Sequence, residues 1–174
     1  MKKIKYCLLA LLCPILCAAQ LKPMAVGDTI PDLAFTNLVN FCEPSLKIST
    51  YKDKLVILDF WASWCASCKR GLEKLDSLAQ NYPSNMAILL VNSKQTGDNA
   101  AKIVNHYHNP RNRLFTLYPT IIEDTLLSAW FPHQAVPHYV WLYNGVVRSI
   151  SSWRDLKPEN VDAVLNGGSF IPKK

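Results

Sequence analysis

The chain has 174 residues, 49% hydrophobic and 18% charged, an ordinary globular composition that fills one domain with a substantial core and leaves no comfortable room for a second. The formal net charge is +6, but Lys2, Lys3 and Lys5 belong to a leader segment. Without them 16 basic side chains face 13 acidic ones, a net +3 that is too mild to argue for nucleic acid or a membrane surface as a partner.

In chain order, Met1 to Lys5 is basic, Tyr6 to Cys17 is apolar, and Ala18, Ala19 and Gln20 follow: the three-part pattern of a secretory signal peptide, with cleavage expected after Ala19. The apolar run is shorter than the ~20 residues of a spanning helix, which argues against an N-terminal membrane anchor. A lipid anchor on Cys17 is the other alternative, disfavoured by Leu16 where a small residue is wanted. Gln20 to Lys54 reads as an extension with a small hairpin, because Leu33 to Leu38 and Leu46 to Thr50 alternate only in part.

Leu55 to Trp61 is nearly continuous in apolar residues, as in a strand buried on both faces. From Cys65 the spacing turns helical, with Leu72, Leu75, Leu78 and Ala79 on one face, until Tyr82-Pro83 stops it. Met86 to Asn92 predicts a second buried strand, and Asp98 to Tyr107 a helix with Ala101, Ile103 and Val104 inward. This order predicts a parallel central pair of strands. His108 to Tyr118 is basic and turn-like, and Asp124 is placed to cap a short helix through Leu126, Leu127 and Trp130. His138 to Tyr143 and Val146 to Ile150 flank Asn144-Gly145, a strong hairpin signal, and Pro158 to Leu165 forms a closing helix ended by Gly167-Gly168.

Of six cysteines, Cys7, Cys13 and Cys17 lie in the leader, which leaves Cys42, Cys65 and Cys68. A Cys-x-x-Cys pair in a compartment where disulfides persist is a redox pair, a structural bridge or a metal clip. A zinc clip needs a second pair of ligands, and His106, His108, His133, His138 and Cys42 supply no recognisable half-site, so no metal is expected. His106 and His108 point to different faces of a helix and read as surface residues. Cys65, at the first turn of a helix, has free N–H groups and the helix dipole to stabilise a thiolate; Cys68 lies one turn on, on the same side, placed to resolve a mixed disulfide. Asp59 stands out because a carboxylate in a buried strand is unfavourable, and desolvation should raise its pKa. Backbone donors or Lys54 are its alternative partners. Cys42 reads as a buried inert thiol, with a regulatory or intermolecular thiol as the alternative.

The run VILDFWASWCASCK resembles the active-site strand and helix of thioredoxins, and the leader plus extension resembles their envelope TlpA/ResA-like branch, over about Gly27 to Leu165. The resemblance implies an α/β, thioredoxin-like three-layer sandwich: a central mixed sheet flanked by helices, with an N-terminal β-hairpin extension. It implies a signal peptide at 1–19, an extension at 20–54, a thioredoxin-like domain at 55–168 and a tail at 169–174. Cys65 would be exposed and nucleophilic, Cys68 buried and resolving, and Asp59 would move the proton of the second thiol. Pro137 would be cis, with the backbone of Val136 pairing with substrate. Of Trp61 and Trp64, one would pack under the active-site turn and the other would form an apolar rim around Cys65. His138 is a candidate for facing the disulfide, where its charged form would lower the Cys65 pKa.

The middle dipeptide Ala66-Ser67 departs from the family, which commonly has proline before the second cysteine. Gly71 and Glu73 stand where envelope members often have a glutamate and, two residues on, a proline, so no role is carried over to them. The expectation is a thiol-disulfide oxidoreductase, reductant or isomerase, acting in the periplasm on disulfide or thiol client proteins. It would be recharged by a membrane electron donor, with no cofactor beyond the Cys65-Cys68 disulfide. The alternatives are a peptide-binding module with a structural disulfide and, less in keeping with Trp61-Ala-Ser-Trp64, a peroxidase.

Overall fold

The structure, a computed structural model, describes residues 21–172, so the expected leader lies outside the described residues. Up to Lys54 the chain is largely irregular, with three two-residue strands, β1 (Ala34–Phe35), β2 (Leu38–Val39) and β3 (Leu46–Lys47). β1 and β3 pair antiparallel, the small hairpin-like sheet expected of the extension. β2 leaves that pair and joins the edge of the main sheet.

The main sheet holds β4 (Leu55–Trp61), β5 (Met86–Ser93), β6 (Thr120–Asp124), β7 (His138–Tyr143) and β8 (Val146–Ser151), in the order β2-β6-β5-β4-β7-β8. β4, β5 and β6 are parallel neighbours; β2, β7 and β8 run antiparallel to theirs. Every residue of β4 is buried, which is why its sequence does not alternate. Asn144 and Gly145 both have positive φ (51° and 75°), the conformation a two-residue hairpin turn demands, and they join β7 to β8.

Helices cover both faces. On one face α1 (Ala66–Gln80), Ile103 of α2 (Ala100–His108) and α4 (Pro158–Leu165) pack with Ile57, Trp61, Leu90, Tyr139 and Trp141. On the other, α3 (Leu126–Trp130) and Ile30, Leu46 and Ile48 of the extension pack with Val56, Leu58, Phe60, Val91 and Val140. These are the three layers of the expected sandwich.

Asp124 accepts from the Leu127 and Ser128 N–H groups at 2.9 and 2.8 Å, as expected of a cap. Within α2 Ile103 is the one fully buried residue, with His106 and Tyr107 partly buried beside it, whereas Ala101 and Val104 are exposed. The turn-like stretch is a 3-10 run from Pro110 to Leu117, and β6 is a strand that no sequence signal announced. Among the described residues no helix is long and apolar enough to cross a membrane.

Candidate active site at the Cys65-Cys68 turn

β4 ends at Trp61 and α1 begins at Ala66, so the four residues between them carry the reactive turn on a rigid strand and a rigid helix. Cys65 is the residue that caps α1, and it is disulfide-bonded to Cys68. The Cys68 N–H points at Cys65 Sγ, 3.1 Å away, and the Ser67 hydroxyl lies 3.4 Å from the same sulfur. No acidic side chain occupies the first turn. A thiolate at Cys65 would thus meet an N–H, a hydroxyl and the positive end of a helix dipole. Cys68 is fully buried; Cys65 is 8% exposed, more enclosed than expected, because Val136 and Pro137 close over the turn.

The Val136-Pro137 bond is cis, and the Val136 carbonyl oxygen lies 3.6 Å from Cys65 Sγ. The two tryptophans divide as expected: Trp61 is fully buried, whereas Trp64 is 65% exposed beside Cys65 and anchored by its Nε1–H to the Thr96 carbonyl at 3.1 Å.

Asp59 faces the cysteine side of the sheet, in step with Ile57 and Trp61. It is fully buried, and neither carboxylate oxygen meets a hydrogen-bond partner among the described residues. Backbone donors and Lys54, the alternative partners, do not reach it. Burial therefore pushes its carboxyl well above the ordinary aspartate value.

His138 departs from expectation. It pairs with Phe60 across the strands, its ring packs against Phe60, and it stacks on His133 with centroids 4.7 Å apart. Phe60 belongs to the opposite face of the sheet, so His138 is turned away from the disulfide. Burial, with His133 adding, lowers its pKa to about 4, and a neutral imidazole supplies no charge at pH 7. His106 is likewise not a surface residue: it is half-buried against Trp61 and Phe115, with Asn112 3.2 Å from Nδ1. Cys42 is exposed and free rather than buried.

Three contributions were not read from the sequence. Asp98 accepts from Ser63 N–H and Oγ at 2.8 and 2.6 Å and from Asn92 Nδ2 at 2.8 Å, which ties the turn before Cys65 to the end of β5. Burial pushes Asp98 up, but these hydrogen bonds and Lys102 outweigh it and hold the carboxyl below its ordinary value. Ser67 supplies the hydroxyl beside Cys65. Tyr139 sends its phenol across to α1, where a Cβ on Gly71 would fall 2.1 Å from its oxygen. A glycine inside a helix was the visible signal for that close approach.

Comparison with known proteins agrees with this geometry. The thioredoxin family profile matches residues 39–108. The thiol-disulfide oxidoreductase ResA of Geobacillus kaustophilus is 28% identical over 130 residues, covering 73% of this chain and 69% of that protein. Thioredoxin-T of Drosophila melanogaster is 45% identical over 47 residues, 27% of this chain and 30% of its own length, so the chain spans less than a third of that relative. The thioredoxin domain of a thiol-disulfide oxidoreductase from Bacteroides vulgatus superposes with a TM-score of 0.59 over 83% of this chain and 97% of that one, at 13% identity, a likeness of fold.

Proposed function

We propose that the chain is a thioredoxin-like thiol-disulfide oxidoreductase that exchanges disulfides with envelope client proteins, as a reductant or isomerase. The observation that carries the reading is the setting of Cys65 Sγ, with the Cys68 N–H and Ser67 hydroxyl on one side and the Val136 carbonyl on the other. In the reduced protein the Cys65 thiolate attacks a client disulfide, forming a mixed disulfide and releasing one client thiolate. Cys68, having lost its proton to Asp59, then attacks Cys65 Sγ, closes the Cys65-Cys68 disulfide and frees the second client thiolate. Two electrons have passed to the client, and Asp59 returns the proton to solvent. A dithiol donor at the membrane would restore the reduced pair. The exposed Trp64 rim and the backbone at Val136 and Pro137 form the client platform. The signal-peptide pattern of residues 1–19 supports a periplasmic setting.

The test is the equilibrium of the disulfide against a glutathione ladder, with Cys68→Ala used to trap mixed disulfides. A potential near about −270 mV supports a reductant, and one near about −120 mV makes the protein an oxidant. A pair that neither equilibrates nor traps a partner refutes the exchange reading and leaves a peptide-binding module with a structural disulfide.

A further inference from the structure

The face of the sheet beneath the disulfide holds two orphaned polar groups side by side. Asp59 and Tyr139 are register partners in the antiparallel β4-β7 pair, both fully buried. Directly opposed residues carry Cβ atoms roughly 5 Å apart. Neither carboxylate oxygen of Asp59 nor the Tyr139 hydroxyl has a hydrogen-bond partner among the described residues. Buried polar groups are rarely left so, and two in one place are complementary here: one is a donor, the other an acceptor.

The phenol has been given room for this position. It crosses to the helix one turn beyond Cys68, where Gly71 alone leaves space, since any side chain would meet the oxygen at 2.1 Å and Tyr139 Cζ at 3.5 Å. Tyr139 therefore stands between β4 and the segment of α1 that carries the resolving thiol. The register partner of Asp59 on β5 is the apolar Leu90, and the core on that face of the sheet includes Val161 and Val164 of α4. Tyr139 of β7 is paired with Asp59 across the sheet, and Cys68 of α1 belongs to the core on the same face.

We propose that Tyr139 is a positioning residue for the resolving step: its hydroxyl donates to the Asp59 carboxylate through one bridging water, and so holds that carboxylate ready to take the proton of Cys68. The inference rests on the exchange activity proposed above. The proton passes from Cys68 Sγ to Asp59, the thiolate attacks Cys65 Sγ, the Cys65-client bond breaks, and the proton leaves Asp59 for solvent. Tyr139 itself stays protonated, because burial and then the Asp59 charge raise its pKa beyond any working pH. A neutral phenol adds no charge at Asp59 but steadies the ionised form by hydrogen bonding.

The experiment uses Tyr139→Phe, which removes one oxygen and leaves the packing. Reduced full chain is mixed with oxidised glutathione, quenched in acid and weighed, so that the rate at which Cys68 expels glutathione from Cys65 is followed from pH 5 to 9. We expect resolution about tenfold slower at pH 7 and a midpoint about one unit higher, since less Asp59 is ionised without the donor. In an Asp59→Asn background the same change should alter the rate by less than about twofold. Equal slowing in both backgrounds would mean a structural role and overturn the proposal. The Asp59 carboxyl carbon titrated by NMR in the oxidised protein needs no exchange at all. A midpoint unmoved by Tyr139→Phe overturns the pair; where the parent protein expels no glutathione, the exchange reading fails while this titration still decides.

Discussion

At the residue scale, the fit of Tyr139 over Gly71 makes an energetic prediction apart from catalysis. Gly71→Ala places a Cβ against a buried phenolic oxygen that cannot swing into solvent, and overpacking of this kind costs about 1–3 kcal/mol. The double variant Gly71→Ala/Tyr139→Phe should recover most of that loss, because the next atom, Cζ, is at 3.5 Å, an ordinary contact. Urea unfolding of the three proteins checks it; a double variant no better than Gly71→Ala alone would show that the oxygen is not the obstacle. Two buried titratable groups also predict opposed slopes of stability with pH. Asp59 is held protonated in the fold, so stability falls as pH rises above its ordinary value of 3.8, by at most about 1.4 kcal/mol per unit, until Asp59 ionises. His138 is held neutral down to about 4, so its stabilisation, present above 6.5, is lost as pH falls through that interval, on the order of 3 kcal/mol in all. Asp59→Asn should steepen the gain in stability between pH 4 and 6.5, and His138→Gln should flatten or reverse it; unfolding midpoints at half-unit steps read both.

At the scale of elements, α3 has only five residues and depends on Asp124, whose carboxylate takes two backbone N–H groups and the Ser128 hydroxyl at 2.7 Å. Asp124→Ala should cost about 2 kcal/mol, since those donors are buried, and Asp124→Asn should cost less. Equal stability of parent and Ala variant would remove the cap from the account. The elements legible in the sequence were those whose signal is local. β4 shows its burial in an unbroken apolar run, α1 in its leucine spacing, and the β7-β8 turn in Asn144-Gly145. β6 was not legible because Thr120 to Asp124 is five residues mixing two isoleucines with two acids, and its identity comes from pairing with β5 and β2. The site divides in the same way. Cys65, Cys68 and Asp59 announced themselves by spacing and by a charge in the wrong company. Asp98 and Tyr139 act across long sequence separations, and His138 was misplaced because strand parity, not nearness to Pro137, decides which face it takes.

At the scale of the whole molecule, the extension closes both edges of the sheet. At one edge β2 pairs with β6; at the other Gly27 N–H donates to the Val147 carbonyl, Val147 N–H to the Asp28 carbonyl and Ile30 N–H to the Gly145 carbonyl. Deleting residues 21–33 should bare β8 as a strand edge, lower the unfolding midpoint and promote self-association, because an unpaired edge is a template for another chain. Size-exclusion at rising concentration checks this, and a monomeric, undiminished truncation would show the strap to be dispensable.

That strap also sets an order in time. Its residues leave the ribosome well before their partners: Thr29 pairs with Val146 and Leu38 with Ile121. The unit from β4 through α1 to β5 can close early, with its two thiols already side by side, while β4 still awaits β7 and the strap waits for both edges. An oxidant present during emergence would therefore find Cys65 and Cys68 as a local pair, before Pro137 is there to cover them.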